Sequence, residues 1–290
     1  MKKVAILGAS GLLGKHLFNH FKKTGTDCIR LGRSLNESID TAIDFTNIDK
    51  AFEILDSLNV DCIINLIAMT SVDSCEENIS EAYFVNTKIP EIISQWCHSN
   101  KTTSLIHIST DHFYSDAGES TEECVKIYNT YAMTKYAAEL AVMNCNGTIL
   151  RTNFFGKSHT FGRKSFSDWI FESLSSGKNI IGYSDNYFSA LHISTLCAII
   201  NNVCETPKPG IFNVGSKNGF SKGEFAKRFC SALNLDESLI ELASSDDAVN
   251  IIKRPSDMRM NSGKFVGEYP LISLPLLSEE VLKAAKEYNF

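Results

Sequence analysis

A run of glycines close to the N-terminus constrains the fold more than any other feature. Gly8, Gly11 and Gly14 follow the apolar stretch Val4–Leu7 directly and open a helical pattern. In such a run the first glycine permits a tight turn, the second lets the backbone approach a pyrophosphate, and the third lets the helix pack on the strand. The helix N-terminus adds free N–H groups and a positive dipole end. The run therefore predicts a strand–turn–helix unit that binds a dinucleotide.

Short apolar runs alternate with helical patterns through the first half of the chain. The runs are apolar throughout, as expected for strands that carry helices on both faces of a parallel sheet. The predicted strands are Val4–Leu7, Asp27–Leu31, Thr41–Asp44, Cys62–Leu66, Ser104–Ile108 and Thr148–Leu150. The predicted helices begin near Gly11, Ile48, Ile79, Pro90 and Asn129. We therefore expect an α/β fold, a Rossmann doubly wound parallel sheet.

The regular alternation of apolar runs and helical patterns ends after Arg151. Amphipathic helices are predicted over Phe166–Ser176, Ser194–Val203 and Ser221–Leu233, the last with Ser221 as N-cap and Glu224 completing a capping box. Short strands near Asn179–Gly182 and Gly210–Val214 lie among loops. We expect a smaller C-terminal α/β substrate subdomain, formed by residues 153–184 and 206–290. Residues 1–152, with about 185–205 returning, would form the dinucleotide-binding domain.

Composition excludes several classes of protein. The net charge of −6 argues against a nucleic-acid or membrane-surface binder. No apolar run approaches the roughly 20 residues of a membrane span. The 9 cysteines are scattered singly, with no CxxC pair and no metal-ligand spacing, which fits reduced thiols in a cytoplasmic protein without a metal site.

The end of the second predicted strand indicates the cofactor. NAD-preferring sites place a carboxylate there for the ribose 2′-OH, whereas NADP sites use an arginine for the 2′-phosphate. This chain has Arg33 and Ser34, a cation and a hydroxyl. The alternative is an ordinary solvated arginine. The pattern favours NADP(H), with NAD(H) as the second choice.

Two further motifs indicate chemistry. Tyr131 and Lys135 are spaced i and i+4, so they are neighbours on one helix face, where the ammonium stabilises the phenolate for acid–base work. Ser109 and Thr110 follow the strand Ser104–Ile108, and Thr110 is suited to hydrogen-bond a substrate carbonyl. The alternatives are a plain surface helix and hydroxyls that merely cap a turn.

Taken together and in this order, the motifs resemble those of the extended short-chain dehydrogenase/reductases, most closely the dTDP-4-dehydrorhamnose reductase group of nucleotide-sugar enzymes. The resemblance runs over nearly the whole chain. The matching segments are GASGLLG from Gly8, NLIAMTSVDSCEEN from Asn65, FVNT with Asn86, STDHFY from Ser109, YAMTK from Tyr131, RTNFFG from Arg151 and KRPSDMRMNSGKF near the end.

The resemblance implies an oxidoreductase that reduces a nucleotide-linked 4-keto sugar with NADPH, in polysaccharide biosynthesis. Tyr131 would protonate the nascent alkoxide, Lys135 would also hold the nicotinamide ribose, and Thr110 would orient the carbonyl. Besides these residues and the glycines, the implied cofactor contacts are Ser10, Leu12, Leu13, Asp44, Phe45, Leu66, Ile67, Ala68 and Asn86. The implied substrate contacts are Val72, Asp73, Thr110, Asn153, Phe154, His192 and Arg254, whose planar donor fork suits a diphosphate.

Departures from the group's pattern leave the sugar open. Ala132 replaces the usual glycine after the tyrosine, and Asn153-Phe154-Phe155 stands where relatives carry Trp-Val-Tyr. An epimerase or dehydratase of the same fold is one alternative, and a non-catalytic NADP-binding regulatory subunit is another. Asp111-His112 after Thr110 is not the Asp-Glu pair of dehydratases. The expected partner is a nucleotide sugar, and the expected assembly a homodimer.

The arginine at the strand end yields a direct prediction. We expect the protein to prefer NADPH over NADH, and we expect Arg33→Ala to remove most of that preference, because the variant lacks the cation that meets the 2′-phosphate. The ratio of kcat/KM for the two cofactors measures it. Equal efficiency with both cofactors in the unsubstituted protein would contradict the prediction.

Overall fold

The computed structural model describes residues 2–114, 118–245 and 252–288. Its main feature is a seven-stranded sheet with the order β11-β6-β5-β4-β1-β2-β3. These strands are β1 (Lys3–Leu7), β2 (Asp27–Gly32), β3 (Thr41–Ala42), β4 (Cys62–Asn65), β5 (Ser104–Thr110), β6 (Thr148–Thr152) and β11 (Gly210–Val214). β1 pairs in parallel with both β2 and β4, so Val4 lies opposite Cys28 on one side and Cys62 on the other.

Helices connect these strands. They are α1 (Leu12–Thr24), α2 (Ile48–Leu58), α3 (Val72–Glu77), α4 (Ile79–Tyr83), α5 (Ile89–Ser99), α6 (Thr130–Met143), α7 (Phe166–Ser175), α8 (Ile193–Glu205), α9 (Lys222–Ala232), α10 (Gly263–Glu268) and α11 (Leu277–Ala285). A π-helical turn occupies Phe84–Lys88, and a 3₁₀ turn occupies Glu237–Leu239. No helix within the described ranges has the length and apolar character needed to cross a membrane.

The remaining strands are short and form small sheets. They are β7 (Phe154–Phe155), β8 (Ile180–Tyr183), β9 (Tyr187–Phe188), β10 (Leu191–His192), β12 (Phe220–Ser221), β13 (Ile240–Ala243) and β14 (Asp257–Met258). β7 pairs with β10, β8 pairs with β13, and β9 lies between β12 and β14.

The predicted fold class is confirmed, because the strand order 3-2-1-4-5-6 is that of a doubly wound Rossmann sheet. One strand was predicted in the wrong place. Gly210–Val214 is the edge strand beside β6 rather than a strand among the C-terminal loops. The chain is fixed there by the Gly210 amide, which donates to the Gly147 carbonyl at 3.0 Å, and by the Thr148 hydroxyl, which donates to the Lys208 carbonyl at 2.7 Å.

The chain divides into two compact units. The first comprises Met1–Thr110, Asn129–Arg151 and Cys197–Phe212, and the second comprises Asp111–Tyr128, Thr152–Leu196 and Asn213–Phe290. The core of the first unit consists mainly of aliphatic side chains from the sheet and from α2 and α5, together with Phe45 and Trp96. The core of the second is aromatic: the Phe225 ring lies 4.7 Å from that of Phe155 and 5.6 Å from that of Phe188.

The turn after β1 needs two of its glycines for different reasons. Gly8 has a φ of +80°, a left-handed conformation that L side chains rarely adopt. Gly14 is required by close packing, because a Cβ there would lie 2.5 Å from the Gly8 carbonyl oxygen and 2.6 Å from the Ala9 Cα. The first turn of α1 therefore lies directly against the β1 turn.

Gly14→Ala tests this packing. The added methyl meets backbone, which cannot rotate away, so we expect the free energy of unfolding to fall by about 1–3 kcal/mol even though alanine favours helix. Denaturant unfolding measures the change. Gly267→Ala in α10 is the matched control, because nothing lies within 4 Å of its Cβ position. We expect it to be neutral or slightly stabilising, and equal stability of the two variants would contradict the account.

Candidate active site

The N-terminus of α1 has the features of a phosphate site. Gly11 is the N-cap of α1, and because glycine has no side chain, no N-cap side chain accepts from the amides of the first turn. The amides of that turn are therefore left for an anion, which the helix dipole also favours. Ser10 is exposed, Leu12 is half-buried, and Leu13 is buried with Gly14. These amides at the N-terminus of α1 fit a pyrophosphate group.

At the end of β2, two arginines have different roles. Arg30 has a structural role. It forms a bidentate ion pair with Asp40, from Nη2 to Oδ1 at 2.6 Å and from Nε to Oδ2 at 3.0 Å, and its guanidinium lies 4.3 Å from the centre of the Phe18 ring. Arg33 and Ser34 are exposed. The predicted 2′-phosphate ligands are therefore the solvent-facing groups of this strand end.

Asp44 and Phe45 follow β3. Hydrogen bonds from the amide and the hydroxyl of Thr46 hold the pKa of Asp44 below its ordinary value, and the nearby Arg33 guanidinium lowers it further. The Asp44 carboxylate is exposed, whereas Phe45 is buried in the core of the first unit. An exposed acceptor beside Arg33 suits the adenosine end of a dinucleotide.

The residues that follow β4 are held by the π-helical turn. Leu66, Ile67 and Ala68 are half-buried. The Met69 amide donates to Asn86 Oδ1 at 2.7 Å, and Asn86 Nδ2 donates to the Met69 carbonyl at 3.1 Å and to the Thr134 hydroxyl at 3.2 Å. Asn86 therefore joins the loop after β4 to α6, and its predicted contact with a cofactor stays a prediction.

The first turn of α6, which carries Tyr131, is capped twice. The Asn129 side chain accepts from the Ala132 amide at 2.9 Å. The Glu76 carboxylate accepts from both the amide and the hydroxyl of Thr130, at 2.6 and 2.7 Å. A carboxylate at a helix N-terminus is favoured by the helix dipole. These contacts fix the position of the tyrosine, and the contribution of Glu76 was not predicted from the sequence.

The three predicted catalytic residues all lie in the first unit and are buried. Thr110 is the last residue of β5, while Tyr131 and Lys135 lie one turn apart on α6. Lys135 Nζ donates to the Ile108 carbonyl at 2.8 Å and lies 3.3 Å from His107 Nε2. Burial lowers the pKa of Lys135 to about 8, against the opposing effect of Glu139. An amine with that pKa exchanges its proton near neutral pH.

His107 and Asn65 were not predicted to belong to the site. Asn65 Nδ2 lies 3.1 Å from His107 Nδ1, and the Ile67 amide donates to Asn65 Oδ1 at 3.0 Å. Burial, followed by the Lys135 charge, lowers the pKa of His107 well below its ordinary value. The sequence contains one signal for His107, because this histidine lies between apolar residues of a strand predicted to be buried. A buried polar group needs hydrogen-bond partners, so such a residue is a candidate for a specific contact.

Beneath these groups lies a fully buried ion pair. Glu139 accepts from Arg151 Nη2 at 2.6 Å and from Nε at 2.9 Å, and the Ser109 hydroxyl donates to the same carboxylate at 2.5 Å. Removing one partner of such a pair leaves an uncompensated buried charge. Ser109 therefore has a structural role, and the predicted role of Thr110 in chemistry stays a prediction.

Two predicted substrate residues lie in the first unit, at the start of α3. Ser71 is the N-cap and accepts from the Ser74 amide. Val72 is buried, and Asp73 in the same turn is exposed. A contact of either residue with substrate stays a prediction.

The second unit groups several polar residues predicted on the substrate side. Asn153 Nδ2 donates to the Asp111 carboxylate at 2.7 Å. Burial lowers the pKa of Lys222, with Asp111 raising it and Arg254 lowering it further, so these charged groups are neighbours. Arg254 is exposed and Lys222 is half-buried. Lys222 was not predicted to belong to the site. The only sequence signal for it is its position at the start of α9, directly after the N-cap Ser221.

β10 pairs with β7, so Leu191 lies opposite Phe154 and His192 lies opposite Phe155. His192 is buried: its Nδ1 lies 2.9 Å from the Ser194 hydroxyl, and its Nε2 lies 3.1 Å from the Glu287 carboxylate. Its amide donates to Glu280 at 2.7 Å. These contacts within the second unit are to protein, and a contact with substrate stays a prediction.

Comparison with known proteins finds several reductases that are similar to this chain over most of its length. The chain is 26% identical to the "Probable low-salt glycan biosynthesis reductase" of Haloferax volcanii, over 98% of this chain and 97% of that protein. It is 25% identical to dTDP-4-dehydrorhamnose reductase of Aggregatibacter actinomycetemcomitans, over 89% and 90% of the two chains. The fold matches dTDP-4-dehydrorhamnose reductase of Bacillus anthracis, solved with NADP, with a TM-score of 0.88 at 23% identity over 99% of each chain.

The family model described as RmlD substrate binding domain matches residues 1–289. That match covers the glycine turn, the strand end with Thr110 and the helix with Tyr131 and Lys135, and it confirms the resemblance predicted from the motifs. The chain therefore belongs to this family, a family of oxidoreductases of the extended short-chain dehydrogenase/reductase type.

Proposed function

We propose that this protein reduces a nucleotide-linked 4-keto sugar with NADPH, in the manner of a dTDP-4-dehydrorhamnose reductase. One observation carries the proposal: Tyr131 and Lys135 share one face of a doubly capped helix, and Lys135 Nζ is hydrogen-bonded to the strand that ends at Thr110. The glycan-biosynthesis and dTDP-sugar reductases among the relatives support this substrate class.

The first unit holds the residues that would bind the cofactor. The amides of the first turn of α1 fit the pyrophosphate, and Arg33 with Ser34 fits the 2′-phosphate, which favours NADP(H) over NAD(H). Asp44, Phe45 and the segment Leu66–Ala68 would line the remainder. When bound, the reduced nicotinamide supplies the hydride for the reduction.

The chain's own residues would complete the reaction. Thr110 orients the carbonyl by a hydrogen bond to its oxygen. Tyr131 donates its phenolic proton to that oxygen as negative charge develops on it, which is general acid catalysis. Below its pKa of about 8, Lys135 is an ammonium, and its positive charge stabilises the phenolate that Tyr131 becomes.

The proposed contacts of the sugar nucleotide form two groups of residues. Val72, Asp73 and Thr110 belong to the first, while Asn153, Phe154, His192 and Arg254 belong to the second. We add Lys222 to the second group, because two neighbouring cations suit the charge of a diphosphate.

We also propose a cytoplasmic homodimer. The 9 cysteines all lie within the described residues and are thiols rather than disulfides, which fits a reducing compartment. The solvent face of α6 carries Met133, Leu140 and Met143, and Ile79 and Tyr83 of the contacting helix α4 are also exposed. Such an apolar stripe on one surface favours a second copy of the chain as its partner.

The catalytic role is tested by Tyr131→Phe. We expect kcat for NADPH oxidation with dTDP-4-dehydrorhamnose, within a panel of nucleotide 4-keto sugars, to fall about 10²–10⁴-fold, because the variant lacks the proton donor. Tyr136→Phe on the same helix is the matched control and should keep its activity. An unsubstituted protein that binds NADPH yet turns over no sugar would support the regulatory-subunit alternative and contradict the proposal.

The homodimer is tested by sedimentation. Leu140 is 54% exposed at the centre of the stripe, and we expect Leu140→Glu to convert a dimer into a monomer because the charge would be buried at the interface. Leu271→Glu is the control, since Leu271 is 99% exposed and lies outside the stripe. A monomeric unsubstituted protein, or a dimer that survives Leu140→Glu, would refute this interface.

A further inference from the structure

The orientation of the Asn65 amide is fixed by the backbone. The Ile67 N–H points at the Asn65 side chain and donates to Oδ1 at 3.0 Å. The amino group Nδ2 must therefore face the His107 ring, where it lies 3.1 Å from Nδ1. An amide nitrogen can only donate, so Nδ1 of the histidine has to accept.

This contact determines which ring nitrogen holds the proton. The imidazole is buried and its pKa is depressed, so the ring is neutral and carries a single proton. With Nδ1 accepting, the proton lies on Nε2. That nitrogen lies 3.3 Å from Lys135 Nζ, so an N–H group of the histidine points at the lysine.

Only one protonation state of Lys135 satisfies all of these contacts. A neutral amine donates one hydrogen to the Ile108 carbonyl at 2.8 Å and accepts the His107 N–H with its lone pair. An ammonium has no lone pair, so it faces a second donor. Moving the imidazole proton to Nδ1 relieves that conflict but creates another with the Asn65 amino group.

We propose that Asn65 and His107 form a positioning pair that favours the neutral amine of Lys135 and so sets the proton affinity of the catalytic lysine. His107 contacts the lysine directly, and Asn65 acts through His107 by selecting the tautomer. The inference rests on the proposed function for the use made of Lys135, although the pairing itself does not depend on any substrate.

Other charged groups around Lys135 do not account for this effect. Tyr131 lies one turn before it on α6 and Glu139 one turn after it. Glu139 raises the pKa of the lysine, and its charge is matched by Arg151 from β6. The lowered pKa of about 8 therefore reflects burial and agrees with an uncharged, donating neighbour on β5.

The consequence for catalysis is a lysine that exchanges protons near neutral pH. An ordinary lysine, with a pKa of about 10.4, would stay charged and could not pass its proton on efficiently. A lysine with a lower pKa can reprotonate the Tyr131 phenolate after each turnover. The ammonium of Lys135 gives up one proton and the phenol is restored. The neutral amine that remains accepts the His107 N–H until solvent reprotonates it.

The first measurement is made on the unsubstituted protein without substrate. Nitrogen-15 NMR of labelled histidine distinguishes the two tautomers, and the His107 signal is the one missing from His107→Phe. Above the pKa of Lys135, at about pH 9.5, we expect His107 to be protonated on Nε2. Protonation on Nδ1 at that pH would overturn the inference, whether or not the protein proves to be a reductase.

The second measurement titrates Lys135 by NMR of ¹³C-labelled lysine, assigned by its loss in Lys135→Met. Asn65→Leu frees Nδ1, so Nε2 can accept from the ammonium, and we expect the Lys135 pKa to rise by about one unit, the scale of one hydrogen bond. In a His107→Phe background the same substitution should leave the pKa unchanged.

The alkaline limb of the kcat/KM profile should move upward together with the Lys135 pKa in Asn65→Leu. A structural role alone would lower activity without moving that limb. An unchanged lysine pKa in Asn65→Leu, or an equal rise in the His107→Phe background, would refute the pairing.

Discussion

The hydrogen bond from Lys135 Nζ to the Ile108 carbonyl is the contact on which the site depends. The Lys135 side chain is 1% exposed, so its nitrogen must find partners inside the protein, and β5 supplies them. That requirement fixes the distance and rotation of α6 against the sheet. The helix then carries Tyr131 to the strand end where Thr110 lies, and the caps from Asn129 and Glu76 keep its first turn in place.

A second constraint operates at β1 of the same sheet. The first turn of α1 packs so closely on the turn after β1 that a single methyl group at Gly14 would meet backbone. This close approach leaves the amides of the helix N-terminus open to an anion. Two helices of the first unit are therefore fixed on the sheet in different ways. The position of α1 depends on the absence of a side chain at Gly14, and that of α6 depends on the buried side chain of Lys135.

The sequence predicted the parts of the fold that depend on local patterns. Strand starts at Asp27, Cys62, Ser104 and Thr148 agree with the structure, and Ser221 caps α9 as expected. The capping box was only half right, because the Glu224 carboxylate accepts from Arg228. The edge strand Gly210–Val214 was misplaced, since strand pairing depends on distant residues that a local pattern does not contain.

The site was predictable where a motif carried it and not where tertiary packing did. Thr110, Tyr131 and Lys135 belong to recognisable spacings. The roles of Asn65, His107 and Glu139 arise only when β4, β5 and α6 come together, and the π-helical turn that places Asn86 has no sequence signal of its own. Asn65 and His107 are polar residues within apolar strands, and this pattern is the sequence signal for their buried contacts.

The central claim, reduction of a keto sugar by hydride transfer, is tested most directly with NADPH carrying deuterium at C4 of the nicotinamide. The account predicts that, for one face of the ring, each molecule of product carries one deuterium at C4 of the sugar, with one NADP⁺ formed per product. A sugar product without deuterium from either labelled face, or conversion of the sugar without net oxidation of NADPH, would contradict it.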